Sequence, residues 1–279
     1  MTNAEFHRLL ASVSRSFSLS LRLLPAEVRS AISLAYALAR ASDTIADSTD
    51  VPPGDRIQAL RELPSVTFPV ALPVADPAER SLLDKLPDLL HRLDQSPDRP
   101  LIENVWSTIR EGQVFDLSRF PSPDPLSPTE LERYTYLVAG CVGEFWTDLC
   151  LLRLNQPFAK PAAEMRGLGR SFGCALQRVN ILRDRASDAT LGRIYISPDG
   201  IASEISHARS GLNAGAAYAG ATRSRRLRAA VALPADLGHQ TLDLIEQAPL
   251  AQRVRVSRSQ VWRSLVRCLL FAPHDRSIG

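Results

Sequence analysis

Two short segments of the sequence each carry a pair of aspartates four residues apart. The first is Asp43-Thr-Ile-Ala-Asp47 and the second is Asp184-Arg-Ala-Ser-Asp188. In an α-helix this spacing is a rotation of about 40° and a rise of about 6 Å, so both carboxylates of a pair lie on one side. Such a pair is commonly no more than part of a solvated surface, so the surrounding sequence decides its meaning.

The surroundings of both pairs indicate a binding site. Each pair ends a predominantly apolar helical segment, over residues 31–46 and 173–186, where a solvated helix would repeat polar residues at helical spacing. Arginines lie beside both pairs, namely Arg40, Arg183 and Arg185. Mg²⁺ binds one or two carboxylates and completes its shell with water and phosphate oxygens, and arginine binds phosphate through paired hydrogen bonds. Two such pairs facing one cavity therefore predict a magnesium-dependent diphosphate site.

The elements that position these residues are predicted to be helices. Apolar residues recur at helical spacing along most of the chain and alternating β-branched runs are few, which favours an all-α fold. A helix is predicted to begin after Pro25 and to end near Asp47. The six prolines in residues 48–77 argue against a continuous helix there and predict a long surface connection.

Proline and capping residues also set the later boundaries. The proline-rich segment 120–128 precedes Thr129 and Glu132, whose spacing predicts an N-cap and its capping-box partner. Three further helices are expected, one to about Leu154, one that follows Lys160-Pro161 and carries residues 167–188, and one from Ser197-Pro198. With 45% hydrophobic residues the chain can bury one large core around an internal cavity, so residues 1–279 are predicted to form a single domain.

Composition and charge exclude some classes of partner. The 33 Lys and Arg against 30 Asp and Glu leave a net charge of +3, too balanced to indicate nucleic acid as a partner. Four cysteines without C-x-x-C spacing are typical of buried free thiols in a reducing compartment. No apolar leader and no run of about 18 apolar residues is found, so a cytoplasmic location is expected. Arginine clusters at 223–228 and 253–267 leave a peripheral membrane contact open, and the oligomeric state is undetermined.

Three blocks of the sequence carry a family resemblance. The first is Ser14-Arg-Ser-Phe-Ser with Leu24-Pro25, followed by Tyr36-Ala-Leu-Ala-Arg40-Ala-Ser-Asp43-Thr-Ile-Ala-Asp47. The second is Tyr134-Thr-Tyr-Leu-Val138-Ala-Gly-Cys-Val-Gly143, and the third is Gln177-Arg-Val-Asn180-Ile-Leu-Arg-Asp184-Arg-Ala-Ser-Asp188 with Gly192-Arg193-Ile-Tyr195. In type, order and separation these blocks resemble the squalene/phytoene synthases, the head-to-head trans-prenyltransferases, and look closest to bacterial squalene synthases.

This resemblance implies an isoprenoid synthase-type helical bundle that encloses a central cavity, with one aspartate pair on each wall. The four aspartates would hold Mg²⁺ and the diphosphate, and Arg40 and Arg183 would contact phosphate oxygens. The resemblance places further residues at the substrate: Ser14, Ser16, Phe17, Tyr36, Val138, Ala139, Gly143, Gln177, Asn180 and Arg193. One departure is Ser187, which stands where the family usually has an acid.

The implied reaction is the head-to-head condensation of two prenyl diphosphates through a cyclopropyl diphosphate to a C30 product such as squalene, with farnesyl diphosphate as the expected substrate. Tyr134 is the candidate to relay the proton that is lost. Thr44 stands where many phytoene synthases carry a second aspartate, which favours the C30 reaction. Phytoene synthesis from geranylgeranyl diphosphate stays open, as does a requirement for NADPH. A non-catalytic scaffold derived from the family is an alternative that the four retained aspartates disfavour.

Overall fold

The computed structural model describes residues 1–13, 21, 23–63, 74, 76–248 and 254–270. Within these ranges the chain is helical and contains no β-strand, and an isolated bridge joins Phe158 to Thr222. The prediction of an all-α fold is thereby confirmed.

The described ranges form a series of helices that are labelled here in chain order. They are α1 (Asn3–Val13), α2 (Ala26–Ala46), α3 (Pro53–Glu62), α4 (Pro77–Asp84), α5 (Leu86–Asp94), α6 (Arg99–Arg119), α7 (Pro128–Thr135), α8 (Cys141–Arg153), α9 (Ala162–Thr190), α10 (Ile201–Gly220), α11 (Arg225–Gln247) and α12 (Arg258–Leu270). A π-helical segment, Tyr136–Gly140, joins α7 to α8, and a 3₁₀ turn, Pro198–Gly200, leads into α10.

Proline marks several helix starts, which explains why most boundaries were predictable. Helix α2 begins directly after Pro25 and ends with Asp47 as its C-cap residue, as expected. The predicted surface connection over residues 48–77 was wrong in part, because it contains α3. Pro53 occupies the first turn of that helix, where a missing amide hydrogen costs nothing, and the helix ends before Pro64.

The helix that follows the proline-rich segment starts two residues earlier than predicted. Its N-cap is Ser127, not Thr129, and Glu130, not Glu132, completes the capping box. The Ser127 hydroxyl accepts from the Glu130 amide at 3.3 Å, and the Ser127 amide donates to the Glu130 carboxylate at 2.8 Å. A Ser or Thr three residues before a Glu occurs in two overlapping registers here, and proline at position 128 suits the first helical residue of the register that is used.

One large hydrophobic core connects the helices from Phe6 to Val254. Helix α9 lies at its centre and packs against α8, α10, α11 and the π-helical segment. Helix α12 packs on the opposite side of α11, through a smaller cluster that includes Leu233 and Leu265. All four cysteines are free and buried, as their spacing predicted.

A continuous helical stretch, Pro128–Arg153, is long and apolar enough to cross a membrane by length and composition, with a mean hydropathy of 1.2 over its most apolar window. The stretch is not an unbroken apolar run, because Glu144 and Asp148 lie within it. Of that window, 44% is buried inside the protein, where it packs against α6 and α9. Because buried core helices meet the same criterion, this stretch is weak evidence for a membrane span.

Candidate active site

A cavity of about 1000 Å³ lies between α2, α6, the α7–α8 stretch, α9 and α11. The residues of α9 that line it run from Gly169 to Asp188, which at a rise of about 1.5 Å per residue corresponds to roughly 28 Å. The cavity is therefore elongated along α9, with the aspartates at one end. That end is called the mouth below, and the opposite end is called the apolar end.

The mouth brings both aspartate pairs to one cavity, although they are separated by more than a hundred residues of sequence. Asp43 and Asp47 occupy the last turn and the C-cap of α2, and Asp184 and Asp188 lie in the last two turns of α9. The C-terminal end of a helix carries a partial negative charge, which disfavours further anions there. Four carboxylates at two such ends therefore create a strongly negative region that a cation stabilises.

The pKa values of these carboxyls reflect that repulsion. Burial and the neighbouring Asp47 carboxylate raise the pKa of Asp43 above its ordinary value, although its side chain is 42% exposed because it faces the cavity. Burial and Asp184 raise the pKa of Asp188 to about 6. A bound divalent cation would relieve the cost of holding these groups ionised.

Arginines neutralise part of this negative charge. Arg40 binds Asp43 and also Glu79, a residue of α4 that no sequence motif had indicated. The Arg183 guanidinium contacts both carboxylate oxygens of Asp184, at 3.1 and 3.2 Å from its Nε. Each of these arginines thus contacts the first aspartate of a pair, where it can also reach an anionic ligand that enters the mouth.

The donor set of the mouth fits Mg²⁺ that is shared with a ligand. Among the described residues, no three His, Cys, Asp or Glu side chains lie close enough to hold a metal ion by themselves. Mg²⁺ does not require such a cage, because it takes one or two carboxylates and fills its octahedron with water and phosphate oxygens. The two carboxylate pairs on facing helices suit that mode of binding.

A second polar cluster lies on the α6 side of the mouth. The Tyr195 hydroxyl donates to the Asp116 carboxylate at 2.6 Å, and Arg193 lies 3.5 Å from the same carboxylate and 3.4 Å from Asp47. The Tyr134 and Tyr195 rings stack with centroids 5.2 Å apart. Burial and Asp116 raise the pKa of Tyr134 far above its ordinary value, so this phenol stays protonated. Sequence reasoning missed Asp116, which lies outside all three blocks.

A tight turn after α9 delivers Arg193 to this cluster. Gly192 adopts a φ of +71°, and a Cβ there would come within 2.6 Å of Pro121. The Arg193 amide then donates to the Asp188 carbonyl at 2.9 Å, which closes the turn on the end of α9 that carries Asp184 and Asp188. Glycine in the Gly192-Arg193-Ile-Tyr195 motif is therefore required by backbone geometry.

The apolar end of the cavity is lined by residues of five helices. Its residues are Val105 and Ile109 of α6, Val142, Phe145 and Trp146 of α8, Phe172 of α9, Tyr218 of α10, and Ala230, Val231 and Pro234 of α11. The Tyr218 hydroxyl lies 3.1 Å from the Thr147 hydroxyl, so its polar atom is satisfied away from the cavity. An elongated apolar ligand suits this end.

Gly143 of the second sequence block and Gly173 of α9 serve helix packing. A Cβ on Gly143 would lie 1.9 Å from the Gly169 carbonyl oxygen, and one on Gly173 would lie 2.2 Å from the Ala139 carbonyl oxygen. The α8 and α9 backbones therefore touch, and the contact extends into the π-helical segment at Ala139. Close helix packing accounts for Gly143, although it also borders the cavity.

The structure brings the predicted residues that it describes to one cavity. The lining includes Tyr36, Arg40, Asp43, Asp47, Tyr134, Val138, Ala139, Gly143, Gln177, Asn180, Arg183, Asp184, Asp188 and Arg193. Ser14, Ser16 and Phe17 lie outside the described residues. Besides Asp116 and Glu79, sequence reasoning missed Gln113, whose buried side-chain oxygen has no hydrogen-bond partner in the described part of the chain.

The sequence profile of the squalene/phytoene synthases matches residues 10–204. The chain belongs to the squalene/phytoene synthase family. The bifunctional lycopene cyclase/phytoene synthase of Colletotrichum graminicola is 32% identical over 203 residues, which cover 67% of this chain and 33% of that protein. A squalene synthase of Eremothecium gossypii is 28% identical (68% and 44% covered), and a phytoene synthase of Mycobacterium bovis is 30% identical (67% and 55% covered). The chain thus spans a third to about half of the length of these curated relatives.

Solved structures show the same helical fold for members of the squalene/phytoene synthase family. A ligand complex of TcSQS matches with a TM-score of 0.81 at 19% identity and covers 95% of this chain and 86% of that one. A dehydrosqualene synthase matches at 0.67 with 20% identity, covering 96% and 95%. Squalene synthase HpnC from Alicyclobacillus acidocaldarius matches at 0.59 with 19% identity, covering 88% and 92%. The predicted isoprenoid synthase-type fold is confirmed.

Proposed function

We propose that this protein condenses two prenyl diphosphates head to head, through a cyclopropyl diphosphate, to a C30 hydrocarbon such as squalene. The observation that supports this most is that four aspartates at two helix ends share one cavity with an apolar compartment that continues along α9. The first feature suits a diphosphate bound with Mg²⁺, and the second suits an isoprenoid chain. Family membership supports the reaction class.

In this proposal the mouth ionises the substrate. Asp43, Asp47, Asp184 and Asp188 would hold the metal, which would stabilise the negative charge that develops on the departing diphosphate. Arg40 and Arg183 would donate hydrogen bonds to the same phosphate oxygens while they keep the metal-binding carboxylates oriented. Gln177 and Asn180 lie one to two turns before Asp184 on the lining face of α9, where they would contact the substrate near its reactive carbon.

Besides diphosphate, ionisation of the substrate gives a carbocation, which must be kept from water. The apolar wall built from α6, α8, α10 and α11 would exclude water along the chain of the substrate. The stacked faces of Tyr134 and Tyr195 would stabilise positive charge beside the mouth. Tyr36, Val138 and Ala139 would contact the chain between these two regions.

Tyr134 is proposed to relay the proton that leaves when the cyclopropane forms. Because its pKa is raised, a free phenolate is not accessible, and the phenol must pass its own proton on as it accepts another. The released diphosphate is the nearest expected acceptor. Asp116 and Arg193 would hold the partner phenol of Tyr195 in place beside it.

The proposal also specifies the length of the prenyl chain of the substrate. Curated relatives named squalene synthase and phytoene synthase match to a similar degree, so similarity does not separate a C30 from a C40 product. Thr44 in place of a second aspartate favours farnesyl diphosphate. Completion to squalene would also consume a hydride donor such as NADPH. The second candidate is phytoene synthesis from geranylgeranyl diphosphate.

The test is product analysis with farnesyl and geranylgeranyl diphosphate, each with Mg²⁺ and with or without NADPH, alongside a diphosphate-release assay. A C30 hydrocarbon formed only from farnesyl diphosphate, with release abolished by EDTA, is the expected result. A C40 product would overturn the proposed substrate. No diphosphate release from either substrate would overturn the enzymatic proposal and favour a scaffold.

The domain organisation and the cellular location also belong to this proposal. Residues 1–279 would form one domain, because one core extends from Phe6 to Val254. The protein would work in the cytoplasm, since its four buried cysteines are unpaired.

A further inference from the structure

Helix α12 presents two different apolar faces. One face, with Val261, Ser264, Leu265 and Cys268, is turned towards the rest of the protein and includes the residues that pack on α11. The other face carries Trp262, Val266, Leu269 and Leu270, which are 61%, 50%, 39% and 63% exposed. These four are most of the large apolar side chains found exposed in the described part of the chain.

The exposed apolar residues of α12 form one stripe. At about 100° per residue, Trp262, Val266, Leu269 and Leu270 fall within an arc of roughly 100° on the helix surface. Arg258 borders one side of this stripe, and Arg263 and Arg267 border the other. A stripe of this kind is costly in water, since monomeric soluble proteins rarely leave large apolar residues exposed side by side.

The charge around the stripe is positive. Residues 254–270 contain four arginines and no Asp or Glu. Arg225 adds a further exposed charge at the C-terminal end of the helix, where its guanidinium donates to the Leu269 carbonyl at 3.2 Å. The charge of Arg267 is already neutralised, because this residue forms an ion pair with Asp236 of α11. The exposed Arg258 and Arg263 remain the clearest candidates to meet an external anion.

We propose that this face of α12 docks on the surface of an anionic lipid bilayer, with Trp262, Val266, Leu269 and Leu270 among the upper acyl chains and the flanking arginines at the headgroups. A helix with an apolar stripe, arginines on both sides and a tryptophan in the stripe has the composition of an interfacial helix. This assignment does not depend on the proposed reaction.

A second copy of the chain fits this face less well than a bilayer. In a two-fold contact the same patch would face itself, so the arginines of one copy would approach those of the other. A bilayer that contains anionic lipids supplies the opposite charge instead. The docking face also lies one helix away from the cavity, because α11 contacts α12 through Leu233 and lines the apolar end through Val231 and Pro234.

The experiment is co-sedimentation of the full chain with vesicles of phosphatidylcholine alone and of phosphatidylcholine with about one third phosphatidylglycerol. We expect binding to the anionic vesicles that weakens as salt is raised, with a blue shift of the Trp262 fluorescence measured against Trp262→Phe. Trp262→Ser with Leu270→Ser should reduce the partition coefficient at least about tenfold. Arg258→Gln with Arg263→Gln should reduce it about fivefold per arginine on anionic vesicles only.

The matched control is Leu152→Ser, because Leu152 of α8 is also 61% exposed but lies away from α12. The Leu152→Ser variant should bind vesicles like the unmodified chain. All variants should have the melting temperature of the unmodified chain, since the altered side chains are exposed. Absence of vesicle binding at low salt, or equal loss in Leu152→Ser, would overturn the proposal. So would a concentration-dependent dimer that Trp262→Ser abolishes, because it would assign the face to a second copy.

Discussion

The two ends of the cavity differ in how the chain builds them. The mouth is made from side chains near the ends of α2 and α9, in short motifs whose members are three or four residues apart. The apolar end is made from one to three residues each of α6, α8, α9, α10 and α11, of which only Val142 belongs to a sequence block. Charge chemistry needs fixed local spacing, whereas an apolar wall needs only shape, which many sequences can supply.

This difference suggests that ionisation and chain length are separable properties of one helix. In α9, Asp184 and Asp188 face the mouth, while Phe172 borders the apolar end more than two turns away. A change at one end should therefore leave the function of the other end nearly intact. The predictions below test that separation, beginning with the mouth.

The largest effect is expected at the mouth itself. Asp43→Asn or Asp184→Asn should each lower Mg²⁺-dependent diphosphate release by about 1000-fold, since the charge that develops on the leaving group loses its stabilisation. Diphosphate release from farnesyl diphosphate is the measurement. Asp50→Asn, an exposed residue just beyond α2 that does not line the cavity, is the matched control and should retain full activity. Retained activity in Asp184→Asn would remove the second pair from the mechanism.

The next largest effect is expected at the contact between α8 and α9, which together line both ends of the cavity. Gly143→Ala should destabilise the fold by about 3 kcal/mol, because its Cβ would meet the Gly169 backbone. Gly167→Ala on the partner helix α9 is the control, since nothing lies within 4 Å of its Cβ position, and it should stabilise by about 0.5 kcal/mol or more. Chemical denaturation measures both. If the two variants had equal free energies of unfolding, the close contact between the α8 and α9 backbones would not contribute to stability.

A smaller effect is expected at the polar cluster beside the mouth. Asp116→Asn should lower kcat about 100-fold with little change in KM, because Tyr195 and Arg193 would lose the carboxylate that orients them. Tyr195→Phe combined with Asp116→Asn should cost no more than the larger single change, since both act through one contact. Steady-state kinetics on all three variants decides this. Additive losses would show that the two residues act independently.

The smallest effect is expected at the apolar end. Ala230→Leu, on the α11 wall, should disfavour geranylgeranyl relative to farnesyl diphosphate by about tenfold in kcat/KM, because the added carbons shorten the space for the longer chain. Diphosphate release from the shorter geranyl diphosphate is the internal control and should not change. If that control falls as well, the two ends of the cavity are coupled and the separation proposed here is wrong.

The sequence was informative wherever a few neighbouring residues decided the outcome. Prolines predicted the start of α2, and the spacing of Asp43 and Asp47 placed them together at its end. The same reasoning from neighbouring residues failed where two overlapping segments both fitted one helix start. Ser127 and Thr129 both offer a capping box, and only the packed helix shows that Ser127 provides it. In the segment 48–77 the number of prolines concealed a helix that fits between two of them.

The amino-acid sequence by itself determined the helical class, the two aspartate pairs and the order of the motifs, because these depend on periodicity and spacing along the chain. Only the tertiary structure decided that both pairs face one cavity, that Asp116 and Glu79 join them, and that α11 lines the opposite end. It also showed that α12 has an apolar face that is exposed in the described part of the chain. The reason is physical: these relations join residues that are far apart in sequence, so they follow from how the helices pack.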